Sequence, residues 1–248
     1  LVNTYWPAQT ILLAKRSGRW FPLMEPILKR YGIPDDFKYL ALVESGLTTG
    51  VSPKGAAGYW QFIPETASAF GLEVNDEVDE RYHVQRSTEA ACRFFKQAYQ
   101  TLGSWTLAAA AFNYGISGIQ RQLARQGANT YYDLVLNEET ARYLFRLLAI
   151  REILKNPDDY GYTIRKRDLY PFIPLKTVEI DSSITDFALF ARKWKVNYKV
   201  LKYFNAWLRT EKLSNPDKRK YYVLLPDTNS TVYRNLNRNI SHEEPISD

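Results

Sequence analysis

The 248-residue chain has only one cysteine, Cys92, and two histidines, His83 and His242. One cysteine excludes an internal disulfide framework and a zinc site built from cysteines, and two histidines cannot supply a histidine-rich metal centre. The short motifs of zinc proteases, α/β-hydrolases, P-loop enzymes and dinucleotide-binding enzymes are also missing. If the protein performs chemistry, we therefore expect carboxylates to carry it, with no metal ion and no cofactor.

Long apolar runs are absent as well, and the longest are short stretches such as residues 107–112. Because a membrane-spanning helix needs ~20 apolar residues, we expect no spanning segment. The chain begins at Leu1 without a basic start followed by an apolar stretch, so we expect a mature or trimmed chain from which any export signal or lipid anchor has been removed. Hydrophobic residues make up 45% of the chain, which is typical of a globular protein, and the length fits one large domain or two unequal ones.

Positive charge is concentrated near the C-terminus. The net charge is +6, and residues 190–221 alone contain ten basic residues against two acidic ones. Such a surplus fits either a surface for polyanions, such as nucleic acid, an anionic envelope polymer or a membrane surface, or simply solvated helix faces. The sequence has no nucleic-acid readout motif, and we expect no nucleic-acid partner.

Hydrophobic spacing predicts a mainly α-helical fold, of α+β lysozyme-like type, followed by a small βααβ domain. The predicted domains are residues 1–160, a linker over 161–175, the βααβ unit over 176–228 and a frayed tail over 229–248. Helices are predicted over residues 5–15, 19–31, 34–45, 64–70, 87–102, 104–113 and 137–155. Strands at residues 178–180 and 221–225 flank two helices over residues 184–194 and 198–204.

The helix over residues 34–45 carries an unexpected carboxylate. Phe37, Leu40, Ala41 and Glu44 share one face, so Glu44 lies among apolar neighbours at the negative end of the helix. Burial and the helix dipole both favour a protonated carboxyl, which suits a general acid. The alternative is a glutamate turned to solvent at a frayed helix end.

Four motifs in order resemble the soluble lytic transglycosylase family, lysozyme-like enzymes that cut peptidoglycan, and within it the membrane-bound lytic murein transglycosylase D group. The resemblance covers roughly residues 20–155. The motifs are Glu44-Ser45, Gly58-Tyr59-Trp60-Gln61, Ala111-Phe112-Asn113 and Tyr143 after Glu139-Thr140, with Val78-Asp79-Glu80-Arg81 as an ancillary match. Phe112 replaces the usual tyrosine of the family, and Tyr59 stands where a leucine is commoner.

The resemblance implies a single catalytic residue. Glu44 would protonate the glycosidic oxygen between N-acetylmuramic acid and N-acetylglucosamine, and then take a proton from the C6 hydroxyl as a 1,6-anhydro ring closes. The implied substrate-binding residues are Ser45, Gln61, Asn113, Tyr143, Tyr59 and Trp60. Gln61 and Asn113 would hydrogen-bond N-acetyl groups, with bracing of the buried backbone as the alternative. Ser45 and Tyr143 would position Glu44, with helix-end bonding and core packing as their alternatives, and Trp60 is expected in the core or the cleft wall.

Residues 177–226 are similar to a LysM domain, a glycan-binding βααβ unit, on the basis of Asn205-Ala206-Trp207 and the ending Val223-Leu224-Leu225-Pro226. The segments Asp181-Ser182-Ser183-Ile184 and Asn215-Pro216-Asp217 depart from the family pattern. Three interpretations remain open for this unit. It binds N-acetylglucosamine-containing glycan, it holds the anionic wall through its basic surplus, or it only packs on the catalytic domain.

Two other function classes stay open. A hydrolase similar to goose-type lysozyme would need a second carboxylate to activate water, for which Glu65, Asp76 and Asp79 are conceivable. A non-catalytic peptidoglycan-binding protein would bind glycan without cutting it. The implied partner is the peptidoglycan glycan strand, and the implied location is the bacterial cell envelope, periplasmic and with an outer-membrane anchor as an option. We expect a monomer.

Overall fold

The structure is a computed structural model that describes residues 7–234, and it is mainly helical as predicted. Seven helices build the N-terminal part. They are α1 (Pro7–Tyr31), α2 (Lys38–Ser45), α3 (Pro64–Ala69), α4 (Val84–Leu102), α5 (Trp105–Tyr114), α6 (Ile116–Gln126) and α7 (Glu138–Lys155). No helix within residues 7–234 has both the length and the apolar character needed to cross a membrane.

The first helix is continuous, so the prediction of two helices over residues 5–15 and 19–31 is wrong. Ser17 does not break α1, because its hydroxyl donates to the carbonyl of Ala14 one turn earlier (2.8 Å). Gly18 leaves room for the segment that follows α7, since a Cβ at this position would lie 2.8 Å from the Cβ of Leu169. The glycine therefore serves close packing and not a helix end.

Helix α2 lies at the centre of the N-terminal part, packed against α1 and α7. Its start is a 3-10 turn over Asp35–Phe37, which follows Pro34 as the sequence predicts. Gly46 ends the helix in the left-handed conformation (φ 59°), and its N–H bonds to the carbonyl of Leu42. Leu40 and Ala41 are fully buried, which confirms that this helix belongs to the core.

Two details of the later helices differ from the prediction. Helix α4 begins at Val84 with His83 as its cap, before the predicted start at Ser87, whose hydroxyl donates to the carbonyl of His83 (2.8 Å). Helix α6 was not predicted. It starts directly after Gly115, which ends α5 with φ 81° and ψ 144° and so joins two helices without a loop. Asn137 caps α7, since its side chain accepts from the N–H of Thr140 (2.8 Å).

The C-terminal part is the predicted βααβ unit. Its elements are β1 (Leu175–Ile180), α8 (Phe187–Lys193), α9 (Tyr198–Phe204) and β2 (Tyr221–Pro226). The two strands pair antiparallel, with Val178 opposite Val223. Of the tail predicted from residue 229, Tyr233 is buried, and residues 235–248 lie outside the described residues.

The βααβ unit packs closely on the N-terminal part. The N–H of Asp79 donates to the carbonyl of Trp207 (2.8 Å), and Val78 pairs with Leu208 in an antiparallel bridge. The guanidinium of Arg209 lies over the ring of Tyr82 at 4.2 Å. Apolar side chains of both parts therefore share one buried cluster.

Candidate active site

A groove of about 620 Å³ lies at the end of α2. Four segments supply most of its lining: Glu44 from α2, the loop between Ser52 and Ile63, the end of α5 from Ala111 to Gly115, and Glu139 from the first turn of α7. All four segments carry residues of the four motifs found in the sequence. The fold therefore brings residues that are up to about 95 positions apart to one groove.

Glu44 reaches the groove from the last turn of α2, and its side chain is partly exposed. Burial raises the pKa of its carboxyl to about 7, and the neighbouring Glu139 acts in the same direction. A hydrogen bond from Tyr143 and the charge of Arg146 lower this pKa without offsetting the burial. The raised pKa predicted from the helix pattern is confirmed, and the carboxyl is protonated in a large fraction of molecules near neutral pH.

Tyr143 contacts this carboxyl directly. It lies on α7 with 2% exposure, and its hydroxyl donates a hydrogen bond to Oε1 of Glu44. Burial, and then the nearby Glu44, hold the pKa of Tyr143 well above its usual value. The phenol therefore stays a neutral donor that fixes one oxygen of the acid.

Ser45 faces away from the groove. Its hydroxyl oxygen lies 3.0 Å from the carbonyl of Ala41 and 2.8 Å from that of Tyr59, and it accepts from the N–H of Leu47 (3.0 Å). It is not part of the groove lining. Its contacts with Ala41 and Leu47 are those of the helix-end alternative, and its contact with Tyr59 ties the end of α2 to the loop that carries Gln61. The assignment of Ser45 as a substrate-binding side chain is therefore corrected, and its positioning role stays a prediction.

Gln61 lines the groove from a strained backbone position with φ 49°. Both protons of its side-chain amide are used inside the loop, one by the carbonyl of Gly58 (2.9 Å) and one by that of Gly50 (3.1 Å). Its Oε1 accepts no hydrogen bond from the described residues. The amide is therefore fixed in one orientation, with an acceptor left for a ligand.

Tyr59 and Trp60 are placed differently from the prediction. Both are buried, with 3% and 0% exposure, and neither lines the groove. The ring of Tyr59 packs on Trp20 at 5.0 Å, and the indole N–H of Trp60 donates to the hydroxyl of Thr88 (3.0 Å). Their assignment as substrate-binding side chains is corrected, and only the core alternative for Trp60 holds.

Asn113 lines the groove, and its side-chain amide bonds to two residues of α7, Thr140 and Glu139. The hydroxyl of Thr140 donates to its Oδ1 (2.7 Å), and its Nδ2 donates to a carboxylate oxygen of Glu139 (3.2 Å). Because a carboxylate only accepts, Glu139 fixes which side of the amide carries the protons. One N–H of Asn113 remains for a ligand.

The sequence analysis missed Glu139 as a groove residue. It was quoted only as a neighbour of Tyr143, yet it is a second carboxylate in the groove. Of the carboxylates considered for activating water, Glu65 and Asp76 do not line the groove, and Asp79 is buried in an ion pair with Arg81 (2.7 Å). The sequence did contain a signal for Glu139. It lies one helical turn before Tyr143, which was predicted to contact Glu44.

Phe112 lines the groove as part of an aromatic cluster, with its ring 5.4 Å from that of Phe62 and 4.9 Å from that of Phe95. A phenylalanine suits this position because its ring packs on other rings. Among the described residues, no group of histidine, cysteine, aspartate and glutamate side chains is arranged to hold a metal ion.

Two family models match the chain. The model described as "Transglycosylase SLT domain" matches residues 24–135, the part that carries Glu44, Gln61 and Asn113. The model described as "Soluble lytic transglycosylase C-terminal LysM-like domain" matches residues 176–229, the βααβ unit. Both resemblances inferred from the motifs are thereby confirmed.

The chain is also similar to curated proteins. It is 30% identical over 213 residues to "Membrane-bound lytic murein transglycosylase D" of Escherichia coli (strain K12), which covers 84% of this chain and 46% of that protein. The protein of the same name from Escherichia coli O6:H1 has the same identity and coverage. A "Putative tributyltin chloride resistance protein" of Alteromonas sp. (strain M-1) is 29% identical over 114 residues, 44% of this chain and 55% of that protein. The chain thus spans about half the length of the curated relatives it matches.

Proposed function

We propose that this protein is a peptidoglycan lytic transglycosylase, which cleaves the β-1,4 bond between N-acetylmuramic acid and N-acetylglucosamine and leaves 1,6-anhydro ends. One observation carries the proposal. Glu44 is a carboxyl whose pKa burial raises to about 7, it faces a groove, and Tyr143 holds it there. A pKa near the working pH lets one group give a proton and take it back.

In the proposed reaction, Glu44 gives its proton to the glycosidic oxygen as the bond from that oxygen to C1 of the muramic acid breaks. The carbonyl oxygen of the sugar's own N-acetyl group stabilises the electron-poor C1. The Glu44 carboxylate then takes the proton of the C6 hydroxyl, and the C6 oxygen bonds to C1. The acid is regenerated, and neither water nor a cofactor is consumed.

Two amides would orient the N-acetyl groups. Gln61 offers an acceptor for an amide N–H, because both of its own protons are used by the loop. Asn113 offers one N–H to a carbonyl oxygen, because Thr140 occupies its Oδ1. An acetamido group has both an N–H and a carbonyl, so one donor and one acceptor match it.

The test is the product released from purified sacculi, analysed by mass spectrometry. We expect the wild-type protein to release 1,6-anhydro-muropeptides and Glu44→Gln to lose this activity by about a thousandfold, since the proposed acid is removed. Circular dichroism should show that the variant is folded. Full turnover in folded Glu44→Gln would remove Glu44 as the acid, and glycan binding without cleavage by the wild type would indicate a non-catalytic binding protein.

Hydrolysis by a lysozyme-like muramidase is the second candidate, and the observation that favours it is Glu139 in the same groove. A second carboxylate that activates water is what a hydrolase requires. The two reactions differ in their products, because hydrolysis yields reducing ends that are heavier by one water. The same mass spectra therefore decide between them.

The chain's surroundings are also part of the proposal. Peptidoglycan strands are the proposed partner, and the bacterial cell envelope is the proposed location, periplasmic and with an outer-membrane anchor as an option. The proposed unit boundaries are residues 1–160 for catalysis, 161–175 for the linker and 176–228 for the LysM-like unit, in a monomeric protein. Sedimentation of the purified chain would reveal a dimer if the last point is wrong.

A further inference from the structure

Arg81 holds the loop wall of the groove from behind. The residue is 8% exposed, and its Nη1 donates to the carbonyls of Gly55 (2.8 Å) and Phe62 (3.1 Å). Nε and Nη2 donate to the two carboxylate oxygens of Asp79 (2.9 and 2.7 Å). A planar guanidinium can bind a carboxylate with one edge and two carbonyls with the other, which a lysine cannot do. Arg81 therefore fixes both ends of the turn that carries Gln61.

The segment that carries Arg81 is in turn held by the βααβ unit. Asp79 donates its N–H to the carbonyl of Trp207, and Glu77 accepts at its carbonyl from the N–H of Arg209, both at 2.8 Å. The carboxylate of Glu77 accepts from the N–H (2.6 Å) and the hydroxyl (3.0 Å) of Ser214. These bonds form a continuous line from the C-terminal unit through residues 77–81 to the groove.

The acid side of the groove touches the loop through Ser45, whose hydroxyl oxygen lies 2.8 Å from the carbonyl of Tyr59, but this bond does not involve Arg81. Glu44 and Tyr143 lie on α2 and α7, which pack against each other, and Arg81 bonds to neither residue. A change at Arg81 should therefore move Gln61 and leave the environment of Glu44 in place.

We propose that the C-terminal βααβ unit is a positioning element of the glycan groove, and that Arg81 is the positioning residue through which it acts. The proposal rests on the proposed function. It gives this unit a role that does not depend on sugar binding of its own, and it assigns a task to the motif Val78-Asp79-Glu80-Arg81, which catalysis does not use directly.

The first experiment compares wild type and Arg81→Lys on solubilised glycan strands. We expect the KM to rise by about tenfold, because a small displacement of a substrate-binding group is costly. The pH at which kcat falls should be unchanged, because it reports Glu44. An unchanged KM in the folded variant overturns the proposal, and so does a shift of the pH profile, which would indicate general loosening.

A second pair of variants decides the matter if Arg81→Lys does not fold. Glu77→Ala removes the bonds to Ser214 from a surface position, and the KM should rise by about threefold through the loss of these contacts. Glu211→Ala is the matched control, since it removes the same charge from an exposed position of the βααβ unit and should leave the KM unchanged. Equal KM values in both variants and the wild type overturn the inference. A wild type that releases no anhydro products overturns the proposed function instead.

Discussion

The two sides of the groove are built in different ways. The acid side consists of two packed helices, α2 and α7, and its central property is the low polarity around Glu44, which raises the pKa of that residue to about 7. The opposite side is a loop without regular structure. Its shape depends on hydrogen bonds to Arg81 and on Gly58, which lies against the backbone of Arg81. Helix packing thus sets the pKa of the proposed acid, and polar contacts set the position of the Gln61 amide, which we propose binds substrate.

The largest effect on stability should come from Gly58→Ala in the loop wall. Gly58 has φ 76°, and a Cβ there would lie 1.9 Å from the carbonyl oxygen of Arg81, so backbone must move. We expect a loss of about 3 kcal/mol or more in the free energy of unfolding, measured by urea denaturation.

Gly55→Ala is the matched control for this change. Gly55 has nearly the same φ, 77°, but no atom lies within 4 Å of the added Cβ. Its cost should be about 1 kcal/mol, that of the backbone conformation alone. If both variants lose the same free energy, the close contact with Arg81 contributes nothing to the wall.

The next effect concerns the acid side and depends on pH. The pKa of Glu44 is about 7 in the folded protein against a reference value of 4.5, so the folded state binds its proton more tightly than the unfolded state. Stability is therefore lost as the pH rises from about 4.5 through 7. We expect Glu44→Gln to be more stable than wild type by about 2–3 kcal/mol at pH 8 and nearly equal at pH 4, by urea denaturation at both pH values. Equal stabilities at pH 8 would mean that burial does not perturb this carboxyl.

Much of the acid side could be predicted from the sequence. Glu44 shares a helix face with Phe37, Leu40 and Ala41, and a period of 3.6 residues is enough to place it among apolar neighbours. Tyr143 followed from its place in an ordered motif.

The loop wall could not be predicted in the same way. A loop has no periodicity, so nothing local indicates that Gln61 lines the groove while Tyr59 and Trp60 enter the core. Likewise, the bonds from Arg81 to Gly55 and Phe62 link positions 19 to 26 residues apart, and Glu139 meets Glu44 only after α7 has packed on α2. Tertiary contacts decide all of these placements.

Tyr143→Phe should have a smaller effect than Glu44→Gln, and it tests whether the Tyr143 hydroxyl acts on the carboxyl of Glu44. The hydrogen bond from Tyr143 lowers the pKa of Glu44, so its removal raises that pKa above about 7. Because the reaction starts from the protonated acid, the high-pH limb of the kcat profile should move to higher pH. We also expect kcat to fall by about tenfold, because the carboxyl loses its fixed orientation. If the high-pH limb of the kcat profile does not move, Tyr143 only packs against its neighbours. Circular dichroism should verify that the variant is folded.

The smallest expected effect is that of Glu139→Gln, and it also separates the two candidate reactions. The charge of Glu139 raises the pKa of Glu44, so its removal should move the high-pH limb of kcat to lower pH while most of the turnover remains. Glutamine keeps an acceptor for Nδ2 of Asn113, so the amide should stay in place. Glu138→Gln is the control, since this neighbour pairs with Arg142 at the surface (2.8 Å) and should leave the limb unchanged.

If Glu139 instead activates water, Glu139→Gln abolishes turnover and the wild-type products carry reducing ends. Retained anhydro products with a shifted limb therefore mean that Glu139 acts on the acid only through its charge.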